Sequence, residues 1–181
     1  ARVYVALSGI NYDDFGTYLF TSEDCGKTWK KITGNLPSEI AYTIKEDPRH
    51  EDVLYAGLYR AVYISLDRGR SWAQFGTGMP AAAVSDIEID PSSRDVVVST
   101  HGRGIYKVNL EPLDEWLAGG AVQEKDRLLN VGPVHVPNPQ ESPDDTNSLV
   151  YEKLPISFWL REPGAVSLGI VNEKNETVWS T

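Results

Sequence analysis

Cysteine is almost absent: the 181 residues hold one, Cys25, so neither a disulfide framework nor a Cys-based zinc site can form within the chain. Long apolar runs are missing as well. No stretch approaches the ~20 residues a membrane-crossing helix requires. Positive charge is scarce, with 17 Lys and Arg against 26 Asp and Glu and a net charge of −9. No basic cluster interrupts that balance, which argues against nucleic acid or an anionic membrane surface as partner. An initiator methionine is lacking too: Ala1 opens a strand-like segment, so the expectation is a piece of a longer protein, whose compartment its visible residues do not reveal.

What is present is a repeat. Ser22-Glu23-Asp24-Cys25-Gly26-Lys27-Thr28-Trp29 returns 43 positions later as Ser65-Leu66-Asp67-Arg68-Gly69-Arg70-Ser71-Trp72. Each copy follows alternating apolar residues (Tyr18 and Phe20; Val62 and Ile64) and precedes a short run ending in Leu36-Pro37 or Met79-Pro80. That pattern is a hairpin with a fixed turn. The Asp carboxylate accepts from backbone N–H groups further along the turn, and the Gly supplies the positive φ that reverses the chain. Trp29 and Trp72 open the next strand with a large apolar surface to bury. Ser22, Asp24, Gly26, Thr28, Trp29 and their counterparts Ser65, Asp67, Gly69, Ser71, Trp72 therefore read as structural. The spacing only faintly imitates a calcium loop, because no bidentate Glu follows. No metal and no cofactor is expected.

The motif Ser-x-Asp-x-Gly-x-[Ser/Thr]-Trp resembles the Asp-box of the BNR repeat found in sialidases, xyloglucanases and sortilin-like β-propellers. That resemblance implies that the box lies between the third and fourth strands of a blade, away from the ligand face. Thr100-His101-Gly102-Arg103-Gly104-Ile105-Tyr106 resembles the closing motif of a bacterial sortilin-like group. The last 33 residues, 149–181, are similar to the start of a hook-capping-like immunoglobulin-type module.

The 43-residue offset also carries Asp47-Pro48 onto Asp90-Pro91, Arg60 onto Arg103 and Tyr63 onto Tyr106. Strands are expected at 2–7, 17–22, 28–32, 40–45, 52–58, 61–66, 71–75, 84–89, 95–100 and 105–110, with an inserted loop at 8–16 and a short helix at 113–118. Four antiparallel strands per ~40 residues make a propeller blade. The fold class is thus all-β: a partial β-propeller of about two and a half four-stranded blades over 1–118, closed by the short helix, then a Pro-rich linker at 119–148, then a partial β-sandwich at 149–181. A ring needs at least about four blades, so preceding N-terminal blades are expected.

Turns of such blades alternate faces. The face opposite the Asp-boxes collects Tyr12, Asp13, Asp14, Tyr59, Arg60, His101 and Arg103 as ligand-face candidates. Two carboxyl groups about 5–9.5 Å apart would be needed for glycoside hydrolysis. Adjacent Asp13 and Asp14 do not obviously meet that, and His101 has no assignable carboxylate partner, so no catalytic residue is named. The reading is a β-propeller that binds a glycan, peptide or protein, non-catalytic in this segment, and extracellular or cell-surface by resemblance. Two alternatives stay open: the C-terminal part of a sialidase- or xyloglucanase-like glycoside hydrolase, and a structural propeller that assists assembly.

Overall fold

The computed structural model describes residues 2–76, 78–119, 127–129, 156–159 and 164–180. It divides into two compact units, Ala1–Leu110 and Glu111–Thr181.

The first unit is built from three successive antiparallel sheets. The first holds β1 (Val3–Gly9), β2 (Asp14–Ser22) and β3 (Lys30–Lys31); the second holds β4 (Ala41–Glu46), β5 (Leu54–Leu58), β6 (Val62–Ser65) and β7 (Ala73–Phe75) in that order. The third holds β8 (Val84–Ile89), β9 (Asp95–Thr100) and β10 (Ile105–Asn109). The middle sheet is a complete four-stranded blade. Its first strand, β4, touches β1 on one side and β8 on the other, which is the radial stacking of a propeller. Registers explain the repeat: Leu54 pairs with Ser65, the first residue of the second box, as Val3 pairs with Ser22, the first residue of the first.

The sheets bury their contacts against one another. Leu19 and Ile32 of the first blade meet Ala41, Leu54, Ala56, Leu58 and Trp72 of the second in one core cluster. The third blade packs so closely on the second that a Cβ at Gly57 would lie 2.5 Å from Val84 Cγ1. Charge also enters this interface. Arg94, 1% exposed, clamps Asp47 with Nη1–Oδ1 at 3.1 Å and Nη2–Oδ2 at 3.0 Å. Asp47 Oδ1 also accepts from the backbone N–H of Arg49 (2.8 Å) and His50 (3.2 Å), and Oδ2 from Tyr55 Oη–H (3.2 Å). A buried carboxylate is tolerable only with such a full set of donors.

Three expectations are corrected. The inserted segment 8–16 is mostly not a loop: β1 runs to Gly9 and β2 starts at Asp14, so only a 3₁₀ turn at Ile10–Tyr12 and Asp13 remain as a tip. The Asp14 carboxylate closes this hairpin, with Oδ1 accepting from Gly16 N–H (2.9 Å) and Oδ2 from Tyr18 Oη–H (2.7 Å). Secondly, glycine is not alone in the left-handed region of the boxes. Cys25 and Arg68 share φ +60° and precede Gly26 (+88°) and Gly69 (+81°), so each turn takes two consecutive positive-φ residues. Thirdly, the two box tryptophans differ. Trp72 is 5% exposed, whereas Trp29 is 44% exposed. Trp72 has a preceding blade to meet: its indole N–H donates to Ile32 O (2.9 Å), its backbone N–H donates to Asn35 Oδ1 (2.7 Å), and Asn35 Nδ2 donates back to Trp72 O (2.9 Å). Trp29 turns its indole N–H to its own hairpin, to Gly26 O at 3.1 Å.

In the second unit, α1 spans Glu111–Ala118 with Pro112 in its first turn, where a missing N–H costs nothing. It begins two residues earlier than the sequence suggests. β11 (Arg127–Leu128), within the stretch read as linker, pairs with β12 (Phe158–Trp159), and β13 (Gly169–Val171) pairs with β14 (Thr177–Ser180). The Asn172–Asn175 turn between these last two is held by Asn172 Oδ1, which accepts from Lys174 N–H (2.9 Å) and Glu176 N–H (3.0 Å). Residues 130–155, which hold Pro133, Pro137, Pro139 and Pro143 of the stretch read as linker and the start of the expected β-sandwich, lie outside the described residues.

Candidate functional site

The boxes first show what is not available for chemistry. Asp24 Oδ1 accepts from Ser22 Oγ–H (2.8 Å) and Thr28 N–H (2.8 Å), and Oδ2 from Thr28 Oγ1–H (2.7 Å). Asp67 repeats this with Ser65 Oγ–H (2.8 Å) and Ser71 N–H (2.8 Å) on Oδ1 and Ser71 Oγ–H (2.5 Å) on Oδ2. Donors from Thr28 and then Ser22 hold the Asp24 carboxyl down at about 2. Burial opposes the same effect at Asp67, yet the donors from Ser71, Ser65 and Arg70 leave it lowered. These carboxylates are consumed by their own turns.

The opposite face carries a cleft of about 660 Å³. Four connections line it: Ile10 from the β1–β2 tip, Pro37–Ile40 from the crossing to β4, Tyr59–Ala61 from the β5–β6 turn, and Met79 and Ala81 from the crossing to β8; Phe15 of β2, Tyr63 and Gln74 form part of the wall. The polar centre is Glu39. Its backbone is fixed by Thr17, a buried hydroxyl whose oxygen lies 2.6 Å from both Pro37 O and Glu39 O, so that its one proton is shared between these carbonyls, and which accepts from Glu39 N–H (3.0 Å). The Glu39 side chain is left unmatched: Oε2 is buried and has no hydrogen-bond partner among the described residues. Burial pushes its carboxyl above the ordinary glutamate value, and the positive charge of Arg60 pulls the other way. Tyr63 answers the same field, raised by burial and then by Glu39, and lowered by Arg60. Arg60 is tied in place through its carbonyl, which accepts from Ala82 N–H at 3.3 Å.

Of the residues named from the sequence, Tyr59 and Arg60 line this cleft. Tyr12, 88% exposed, and Asp13, at φ +54°, stand at the hairpin tip, and Asp14 is engaged in closing that hairpin. His101 and Arg103 sit on the exposed β9–β10 turn, outside the cleft lining. Glu39, Thr17, Tyr63, Gln74 and Phe15 were missed. One signal was legible, because the 43-residue offset carries Glu39 onto Ala82: a charge that one blade needs and the next does not is a mark of something besides folding. Among the described residues no three His, Cys, Asp or Glu side chains gather to hold a metal ion, and no helix is long and apolar enough to cross a membrane.

No protein-family model and no curated protein matches the chain. Among solved structures it is similar to an ancestral GH74 enzyme, at 20% identity and TM-score 0.45, over 55% of this chain and 12% of that one. It is similar also to the GH74 xyloglucanase from Xanthomonas campestris, at 20% identity and TM-score 0.43, over 54% of this chain and 17% of that one. The chain thus spans less than a fifth of either neighbour's length. Its own strand order, register and 43-residue repeat identify the first unit as part of a β-propeller.

Proposed function

We propose that this chain is the glycan-binding part of a secreted or surface-attached β-propeller of the sortilin-like Asp-box kind, with the ligand held between Glu39, Arg60 and the aromatic wall. The observation that carries this is the buried Oε2 of Glu39, a lining residue of an open cleft, which has no hydrogen-bond partner among the described residues. A buried acceptor without a donor costs about 1–3 kcal/mol, and a ligand hydroxyl removes that cost. Phe15 and Tyr59 are exposed and Tyr63 half-buried in the same lining, a surface that suits the C–H faces of sugar rings. Arg60 offers donors, and Gln74 offers both donor and acceptor. A mostly apolar concavity with a few converging polar groups is the usual form of a small-ligand site.

A second reading keeps one specific observation: the upward-shifted carboxyl of Glu39 suits a general acid in glycoside hydrolysis. That chemistry needs a second carboxyl about 5–9.5 Å away, and the described lining holds Glu39 alone. Binding is therefore the function proposed for this segment. Calorimetric titration with neutral cello- and xylogluco-oligosaccharides tests it, alongside a reducing-sugar assay. Binding that weakens at least tenfold in Glu39→Gln and Tyr59→Ala, with no release of reducing ends, supports the proposal. Binding to peptides alone, or hydrolysis that Glu39→Gln abolishes, overturns it.

A further inference from the structure

A second concavity, of about 510 Å³, lies on the other face, between the first blade and the second Asp-box. Register decides which side chains enter it. Thr21 pairs with Lys30 across β2 and β3, and opposed residues of a strand pair share one face. Thr21 is two residues from Leu19, hence on the same face, the one buried against the second blade. Lys31, which also lines the groove, pairs with Phe20, and its Nζ stands 5.2 Å from the Tyr18 ring centroid. The groove sets Lys30, Lys31, Thr21 and Glu23 of one blade opposite Arg68 and Arg70 of the next.

These groups are unequally committed. Arg68 is paired with Glu51 (2.8 Å) and with Asp52, and the groove's one carboxylate, Glu23, is paired with Arg2 (3.0 Å). Lys30 and Arg70 have no carboxylate partner among the described residues, and the hydroxyl oxygen of Thr21 is buried without a hydrogen-bond partner. The chain's net charge is −9, so two cations without a direct ion pair and an unused hydroxyl in one groove are not explained by solubility.

Nor are they explained by folding, for which the repeat provides an internal control. At the 43-residue offset Thr21 becomes Ile64 and Lys30 becomes Ala73. Both replacements occupy equivalent strands and pair with each other, as Ile64 with Ala73. The blade geometry thus works with apolar residues at both positions.

We propose that this groove is a binding site for an acidic sugar, with the carboxylate or sulfate held between Lys30 and Arg70 and a ring oxygen or hydroxyl taken by Thr21. Two cations from adjacent blades can converge on one oxyanion, Arg through a planar fork and Lys as a point charge. The volume leaves room for the ring that carries it. The site is independent of the Glu39 cleft, sharing no lining residue with it.

The test is an NMR titration of the ¹⁵N-labelled 181-residue chain with trigalacturonate, with neutral galactotriose, and with inorganic sulfate at the same concentrations. Shifts confined to residues around Thr21, Lys30 and Arg70 with trigalacturonate, at least tenfold weaker with galactotriose and weakening as salt rises, are the expected result. Lys30→Gln/Arg70→Gln should lower trigalacturonate affinity at least tenfold while Glu39→Gln leaves it unchanged. Thr21→Val, a near-isosteric change, should weaken it several-fold with no loss of folding. Equal binding of galactotriose, sulfate binding as tight as trigalacturonate, or an affinity untouched by the double substitution in a folded chain overturns the proposal.

Discussion

Asp47 and Arg94 offer the sharpest energetic test of how the blades are joined. The pair is buried and bidentate, and Asp47 also takes Arg49 N–H, His50 N–H and Tyr55 Oη–H. Replacing Arg94 by Met leaves a buried carboxylate short of two charged donors, and removing one partner of such a pair costs about 3–5 kcal/mol. Asp47→Ala strands the guanidinium instead, again at about 3–5 kcal/mol, and additionally uncaps the turn for about 1 kcal/mol. The double variant removes both members of the pair. Its cost should fall to about 1–3 kcal/mol, the lost cap plus imperfect packing, because an apolar replacement of a whole buried pair is often close to neutral. The single costs should therefore be strongly non-additive, with a coupling of several kcal/mol. Urea unfolding followed through tryptophan fluorescence measures this as a double-mutant cycle. Additive costs, or single costs below about 1 kcal/mol, would refute the claim that this pair latches the second blade to the third.

Other substitutions probe the boxes and the cleft. Asp67→Ala should cost about 1–2 kcal/mol, as lost local caps do, and Asn35→Ala about 1–3 kcal/mol through the two backbone bonds it makes to Trp72, both read as shifts of the urea midpoint. The Asp24 carboxyl sits near 2 in the folded chain against an ordinary value of 3.8, so its contribution is complete above the ordinary value and is lost as pH falls through the folded one. Acid unfolding between roughly pH 4 and pH 2 should follow, and Asp24→Asn should flatten the pH dependence in that window. Glu39 has the opposite sign: burial raises it, so the favourable contribution exists below the ordinary glutamate value and is lost as pH rises. Glu39→Gln should then leave the chain at least as stable at pH 7, checked by thermal melting.

The contrast between Asp24 and Glu39 also shows what sequence can reveal. A carboxylate that serves its own turn leaves a local signature, the Ser-x-Asp-x-Gly spacing, and repetition at Asp67 makes it unambiguous. The blade registers follow from the same offset, which is why β4 to β10 fall within a residue or two of expectation. Arg94 left no such trace, because its partner Asp47 is 47 positions away and the bond exists only once two blades stack. The extension of β1 and β2 was hidden because an insertion that lengthens a hairpin looks, in one dimension, like a loop. Tyr59 and Arg60 were legible as turn residues on one face. That Glu39 and Tyr63 would join them, while His101 and Arg103 would not, depends on where the crossings between blades travel. Lys30 and Arg70 illustrate the same limit: no basic run exists in the chain, and the groove is assembled from adjacent repeats.

The claim at the centre is that a ligand occupies the cleft around Glu39. A ¹⁵N-resolved titration with xylogluco-oligosaccharide, run on wild type and on Glu39→Gln at pH 7, tests it directly. Perturbations should map to Ile10, Phe15, Glu39, Tyr59, Arg60 and Tyr63 and collapse in the variant while its spectrum stays that of a folded chain. Saturable binding that maps elsewhere, or that Glu39→Gln leaves intact, would contradict it.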